Sequence, residues 1–118
     1  MPNKALERKD RIMQIEVLGT TYEIVRKQRW DDMQLVENDG YCDPTSKTIV
    51  VVDEYEKDIH NVEDIGAYDR NVMRHEIVHA FLYESGLHNY STDETLVDWM
   101  AAQFEKLVKA FEKVECLE

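Results

Sequence analysis

Cysteine, proline and glycine are all scarce in this chain, with two, two and four copies respectively among 118 residues. The cysteines, Cys42 and Cys116, lie far apart and form no CxxC pair. That excludes a disulfide framework and leads to an expectation of two free thiols in a reducing compartment. With so little glycine and proline, and no repeat or low-complexity stretch, there is no linker to separate two domains. Long hydrophobic runs are missing too. The longest aliphatic stretch is Ile49-Val50-Val51-Val52, far short of the ~20 residues of a membrane span. The first twenty residues carry Lys4, Glu7, Arg8, Lys9, Asp10 and Arg11 and have no apolar core of a secretory leader. Basic residues are outnumbered 14 to 25 by acidic ones, for a formal net charge of −11. Phosphate contacts need a basic face, so a nucleic-acid partner is not expected. The expectation is a cytoplasmic protein that engages neither membrane nor nucleic acid.

The chain is nevertheless 43% hydrophobic and 9% aromatic, too apolar for an acidic disordered tail. A single domain spanning residues 1–118 is expected, with 1–10 as a polar tail or helical turn. Met13, Ile15 and Val17 alternate with polar Gln14 and Glu16, the period of a half-buried strand. Gly19-Thr20 then interrupts before Thr21 to Val25, so 12–26 reads as a hairpin. Residues 27–39 show no clear period, with Gln34 to Glu37 as a candidate short strand before the Asn38-Asp39-Gly40 turn. Residues 40–53 read as a second hairpin around Pro44-Thr45-Ser46-Lys47, its aliphatic strand covered on both faces or lying at a packed edge.

After this the period changes to that of a helix. Val72, Met73, Ile77, Ala80 and Phe81 place a helix over 69–85, with Gly86 as its stop and Leu87 positioned to touch Leu82. A second helix over 92–113 carries the stripe Val97, Met100, Ala101, Phe104, Leu107, Val108 and Phe111. Strands first and helices after indicate an α+β fold.

The first helix contains His75-Glu76-Ile77-Val78-His79, an HExxH pattern. Four residues turn an α-helix through about 400° and raise it about 6 Å, so both imidazoles leave one face. From there two ring nitrogens can reach one Zn²⁺. Glu76 lies on the adjoining sector, within reach of a metal-bound water but not of the metal. This chain's composition would produce the pattern by chance about 0.015 times. The metal-free alternative is two hydrogen-bonded histidines on a partly buried face.

A catalytic zinc usually takes three protein ligands and a water. The HExxHxxGxxH arrangement is excluded by Leu82 and Ser85. Glu94-Thr95-Leu96-Val97-Asp98 instead places two acids four residues apart on the second helix. Like charges at that spacing cost ~0.2–0.5 kcal/mol in an isolated helix. A dication and an imidazole N–H would remove that cost, with Glu94 as ligand and Asp98 as acceptor from a ligating histidine. A competing reading makes Ser91-Thr92-Asp93-Glu94 a capping box in which Glu94 turns back on its own helix.

HExxH followed by ExxxD on a later helix resembles the gluzincin pattern. The size of the chain and the context Arg74 to Leu82 resemble small phage- or prophage-type zincins near the minigluzincins and the ImmA/IrrE metallopeptidases. The resemblance covers about residues 40–113. It implies a small zincin-like domain, a hairpin-rich antiparallel or mixed sheet packed on an active-site helix and a C-terminal glutamate helix. It implies that His75, His79 and Glu94 bind Zn²⁺, that Glu76 is the general base and that Asp98 supports a ligand. It also implies that the strand holding Ile49, Val50, Val51 and Val52 lines the cleft and pairs with an extended peptide.

No oxyanion partner stands at a fixed spacing; Tyr90, His88, Tyr83 and His60 are the candidates. Cys42 is read as an inert thiol, with a fourth, inhibitory zinc ligand as the alternative. Two functional expectations follow. One is a zinc metallopeptidase acting on a specific protein or peptide, with zinc-bound water as nucleophile. The other is a zinc-binding regulatory protein on the same scaffold, without turnover.

Overall fold

The computed structural model describes residues 12–56 and 63–118. Two antiparallel strands, β1 (Ile12–Val17) and β2 (Thr20–Lys27), form the expected first hairpin. Leu18 and Gly19 both take positive φ, 50° and 88°, the geometry of a two-residue turn whose twist matches that of the strands. β3 (Gly40–Asp43) and β4 (Thr48–Val52) form the second hairpin. Its turn is closed by Asp43, whose carboxylate accepts from the Thr45 N–H at 3.0 Å and the Thr45 hydroxyl at 2.6 Å.

β4 also pairs in parallel with β2, and the sheet order is β1-β2-β4-β3. This corrects the expectation for Ile49, Val50, Val51 and Val52. Their strand is hydrogen-bonded on both sides, and all four side chains are buried. It therefore has no free edge to offer a peptide. The edge strand on this side is β3. The aliphatic run reflects burial on both faces. Ile49 and Val51 join Val17, Tyr22 and Ile24 beneath the long helix. Val50 and Val52 pack with Leu35, Tyr41 and Tyr55 on the other face. Burying four such side chains contributes roughly 6–12 kcal/mol, so the central place of β4 is strongly specified.

The Gln34–Glu37 segment is not a strand. Two short 3-10 turns, Arg29–Asp31 and Met33–Leu35, occupy this region, the second capped by Asp32 accepting from the Gln34 N–H. Leu35 is the sole buried member of the second turn, so there is no alternating face for a sheet to bury. Arg29 ties the region together from within. It is buried, donates to the Leu35 and Asn38 carbonyls, and pairs with Asp39 at 2.8 Å.

Among the described residues, three helices follow the sheet: α1 (Ile65–Glu84), α2 (His88–Ser91) and α3 (Glu94–Lys113). α1 packs across the sheet through Val72, Met73, Ile77 and Ala80. It is fastened near both ends. Arg26 grips Asp69 with two bonds of 2.8 Å, and Tyr55 donates to the same carboxylate at 2.7 Å. Fifteen residues on, Glu84 accepts from Tyr22 at 2.6 Å and pairs with Lys47 at 2.7 Å. The helix stops as its sequence indicated. Gly86 takes φ +81°, its N–H reaches the Tyr83 carbonyl, and the Leu87 N–H reaches that of Leu82. The short α2 follows at once, an element without enough residues to show a period. α3 then returns against α1, burying Val97 beside Val78 and Leu82. The architecture is α+β, a four-stranded mixed sheet with helices on one face.

Candidate metal centre

His75, Glu76 and His79 lie in the middle of α1, between the Asp69 and Glu84 anchors. Glu94 and Asp98 occupy the first and second turns of α3. The two helices face each other here because Val78 and Leu82 of α1 pack on Val97 of α3. That packing turns the polar residues beside them towards a shared cleft of about 750 Å³.

In the cleft His75, His79 and Glu94 bring ligand atoms within 4.8 Å of one another. The Nε2 atoms of the two imidazoles are 3.1 Å apart. The Glu94 carboxylate is 2.9 Å from Nε2 of His75 and 3.1 Å from Nε2 of His79. Each ring's other nitrogen is already engaged. Nδ1 of His75 lies 2.8 Å from the Asp98 carboxylate, and Nδ1 of His79 lies 2.5 Å from the Ser91 carbonyl. Both acceptors require the proton on Nδ1, so in the neutral rings both Nε2 atoms present bare lone pairs. Burial lowers the pKa of His79, which favours its neutral form.

Two imidazole lone pairs and a carboxylate at these distances repel one another unless something positive lies between them. A cation resolves the conflict; so does protonation of one ring, at the cost of charging a partly buried imidazole. Two imidazole nitrogens and one carboxylate oxygen form a ligand set suited to Zn²⁺ with one position left open. The residues therefore fit the ion.

Glu76 is 6% exposed and lines the same cleft. Its carboxyl takes no hydrogen bond from any described residue. Burial, aided by the charges of Glu94 and Asp98, pushes its pKa up to about 8. Space for it is made by Gly40 on the edge strand. A Cβ there would stand 3.3 Å from the Glu76 Cγ, 3.3 Å from a Val72 methyl and 3.0 Å from the Val50 carbonyl.

The capping-box reading of Glu94 is not what is found. Asp93 caps α3, accepting from the Leu96 N–H at 3.1 Å, and leaves Glu94 to point at the histidines. Ser91 ends α2 instead, and its hydroxyl donates to the His79 carbonyl at 2.9 Å. Its carbonyl role in orienting His79 was not foreseen, because a backbone acceptor leaves no residue-type signal.

The remaining candidates divide. Tyr83 and His88 line the cleft, their rings stacked 4.3 Å apart and 6° from parallel. Tyr90 is 52% exposed and does not belong to the cleft wall. His60 lies outside the described residues. Cys42 lines the cleft from β3, but its sulfur is not part of the converging group. Burial, then the charge of Glu76, pushes its thiol up to about 12, so it is held neutral.

No helix among the described residues is long and apolar enough to cross a membrane. No family model, curated protein or solved structure matches the chain.

Proposed function

We propose that this protein is a zinc-dependent metallopeptidase of zincin-like construction, acting on a peptide bond in a protein or peptide. The observation that supports this most is the convergence of the two imidazole Nε2 atoms and the Glu94 carboxylate beside the buried Glu76. His75, His79 and Glu94 would hold the ion, and Asp98 and the Ser91 carbonyl would fix the two rings. When bound, zinc supplies Lewis acidity that brings a water pKa down to about 7.

The other roles belong to the chain itself. Glu76, as carboxylate, takes the proton of the attacking water and returns it to the departing amine nitrogen. The strand β3, last in the sheet order, runs along the cleft wall, and an extended peptide would pair with its outer edge. Tyr83 and His88 line the same cleft and would serve as contacts for a substrate side chain or a developing oxyanion.

The test is hydrolysis of a peptide library by zinc-loaded protein and its Glu76→Gln variant. The variant is expected to keep its zinc and lose ~10²–10⁴-fold in rate. Equal hydrolysis by both proteins contradicts the assignment of Glu76. Zinc bound at this site without cleavage of any peptide supports a regulatory zinc protein instead.

A further inference from the structure

One turn before His75, Asn71 lines the metal-binding cleft from α1. Asn71, His75, His79 and Tyr83 follow one another at four-residue intervals along this wall. The Asn71 amide is oriented by Arg74, whose Nη2 donates to Oδ1 at 3.3 Å. A guanidinium has no acceptor, so the amide oxygen and not the NH₂ must face it. Arg74 is itself fixed, its Nε donating to the Ala101 carbonyl of α3 at 2.7 Å. The Asn71 NH₂ is thus turned away from Arg74, and it donates to no described residue. A half-buried amide whose oxygen is engaged and whose N–H bonds are unused is a donor available to a ligand in the cleft.

The opposite wall runs alongside α1. Asp39, just before β3, accepts from the Tyr68 hydroxyl. A Cβ on Gly40 would meet Val72 and Glu76, and Lys47, in the turn after β3, pairs with Glu84 at 2.7 Å. β3 and α1 therefore advance in the same direction. An extended peptide on the outer edge of β3 turns alternate carbonyls towards the strand and the others away from it. Carbonyls turned the same way recur every two residues, about 6.8 Å apart. About 9 Å of helix axis separate Asn71 from the midpoint of His75 and His79. With the scissile carbonyl turned away from β3 at that midpoint, the carbonyl about 6.8 Å along comes within hydrogen-bond length of the Asn71 amide. The following one, about 13–14 Å along, overshoots it. Antiparallel pairing is the more stable kind and runs the peptide against β3, so the carbonyl that meets Asn71 lies on the C-terminal side of the scissile one.

We propose that Asn71 is a substrate-binding residue, its Nδ2 donating to the peptide carbonyl two residues C-terminal to the scissile one. This rests on the peptidase reading and deepens it by naming the substrate class. The substrate is an extended peptide with at least two residues beyond the cleaved bond, because a single leaving residue has no carbonyl at that place. Release of one amino acid from a C-terminus is therefore disfavoured.

Two variants separate this role from a structural one. Asn71→Ala removes the amide. Asn71→Asp keeps an oxygen for Arg74 and strengthens that bond, but presents the substrate with an acceptor where a donor is required. The probe is a peptide hydroxamate in which the hydroxamate stands in for the scissile carbonyl and two further carbonyls follow. Its side chains are varied and the tightest binder to the zinc-loaded full chain is retained. A matched probe carries a trans-alkene in place of the amide that holds the second carbonyl. In titration calorimetry, Asn71→Ala is expected to bind the carbonyl probe about three- to tenfold more weakly than the unaltered protein. Asn71→Asp is expected to bind it more weakly still, while proving no less stable in urea. The alkene probe is expected to bind all three proteins within about twofold. Equal binding of the carbonyl probe by the unaltered protein and Asn71→Ala overturns the assignment of Asn71 alone. So does a loss that persists with the alkene probe, or an Asn71→Asp variant that binds as the unaltered protein does. Failure of every hydroxamate to bind the zinc-loaded protein overturns the peptidase reading, and this proposal with it.

Discussion

His79 and Ser91 are bonded to each other twice: the His79 Nδ1–H donates to the Ser91 carbonyl at 2.5 Å, and the Ser91 hydroxyl donates to the His79 carbonyl at 2.9 Å. This double link fastens the short helix α2 to α1 and turns Nε2 of His79 towards His75 and Glu94. Replacing the hydroxyl breaks one of the two links and leaves the orienting carbonyl in place. Ser91→Ala is therefore expected to cost about 1 kcal/mol in urea unfolding and to weaken zinc binding only several-fold.

Asp98 performs the same task for His75 with a charged acceptor, 2.8 Å from Nδ1. Asp98→Ala removes that acceptor, and zinc affinity in competition titration is expected to fall about 10–100-fold. Asp98→Asn retains an oxygen acceptor and is expected to fall less. The order of these two losses is the diagnostic result, since a purely helical role for Asp98 would not rank them.

Glu76 makes the metal-free protein sensitive to pH in a definite direction. Its pKa is about 8 in the folded chain against 4.5 as the ordinary value. Between those values the folded state holds a proton that the unfolded state has released. Stability therefore falls as pH rises through this window. At 1.36 kcal/mol per unit the loss is at most about 5 kcal/mol. Urea unfolding in a chelator at both ends of the window is expected to show that fall, and Glu76→Gln is expected to flatten it.

Gly40 is needed for the absence of a side chain. Its Cβ would press on the Val50 carbonyl at 3.0 Å, and backbone in a central strand does not yield easily. Gly40→Ala is expected to destabilise the fold by about 1–3 kcal/mol. It is also expected to slow any hydrolysis, since Glu76 Cγ at 3.3 Å must shift.

Much of this fold could be read from residue patterns because short-range rules governed it. Alternation in Met13 to Val17, the Gly86 stop and the HExxH spacing each depend on a few neighbouring residues. The pairing of Glu94 and Asp98 was also legible, because two like charges on one helix face call for a partner. What lay hidden depends on distant contacts. Ile49 to Val52 read equally as a strand covered on both faces or one at a packed edge, and only the parallel pairing with β2 decides that β3, not β4, is the edge. Ser91 and Asp93 are both good caps two residues apart, and the preceding α2 turn decides between them. The 3-10 turns around Arg29 are organised by one buried guanidinium, which no periodicity announces.

The central claim is that His75, His79 and Glu94 together form a zinc site. Anomalous diffraction at the zinc edge, from crystals grown with stoichiometric zinc, tests it most directly. One peak is expected, about 2.0–2.1 Å from Nε2 of both histidines and about 2.0–2.2 Å from a Glu94 oxygen. Zinc-loaded crystals with no peak within bonding distance of those three side chains would contradict the account.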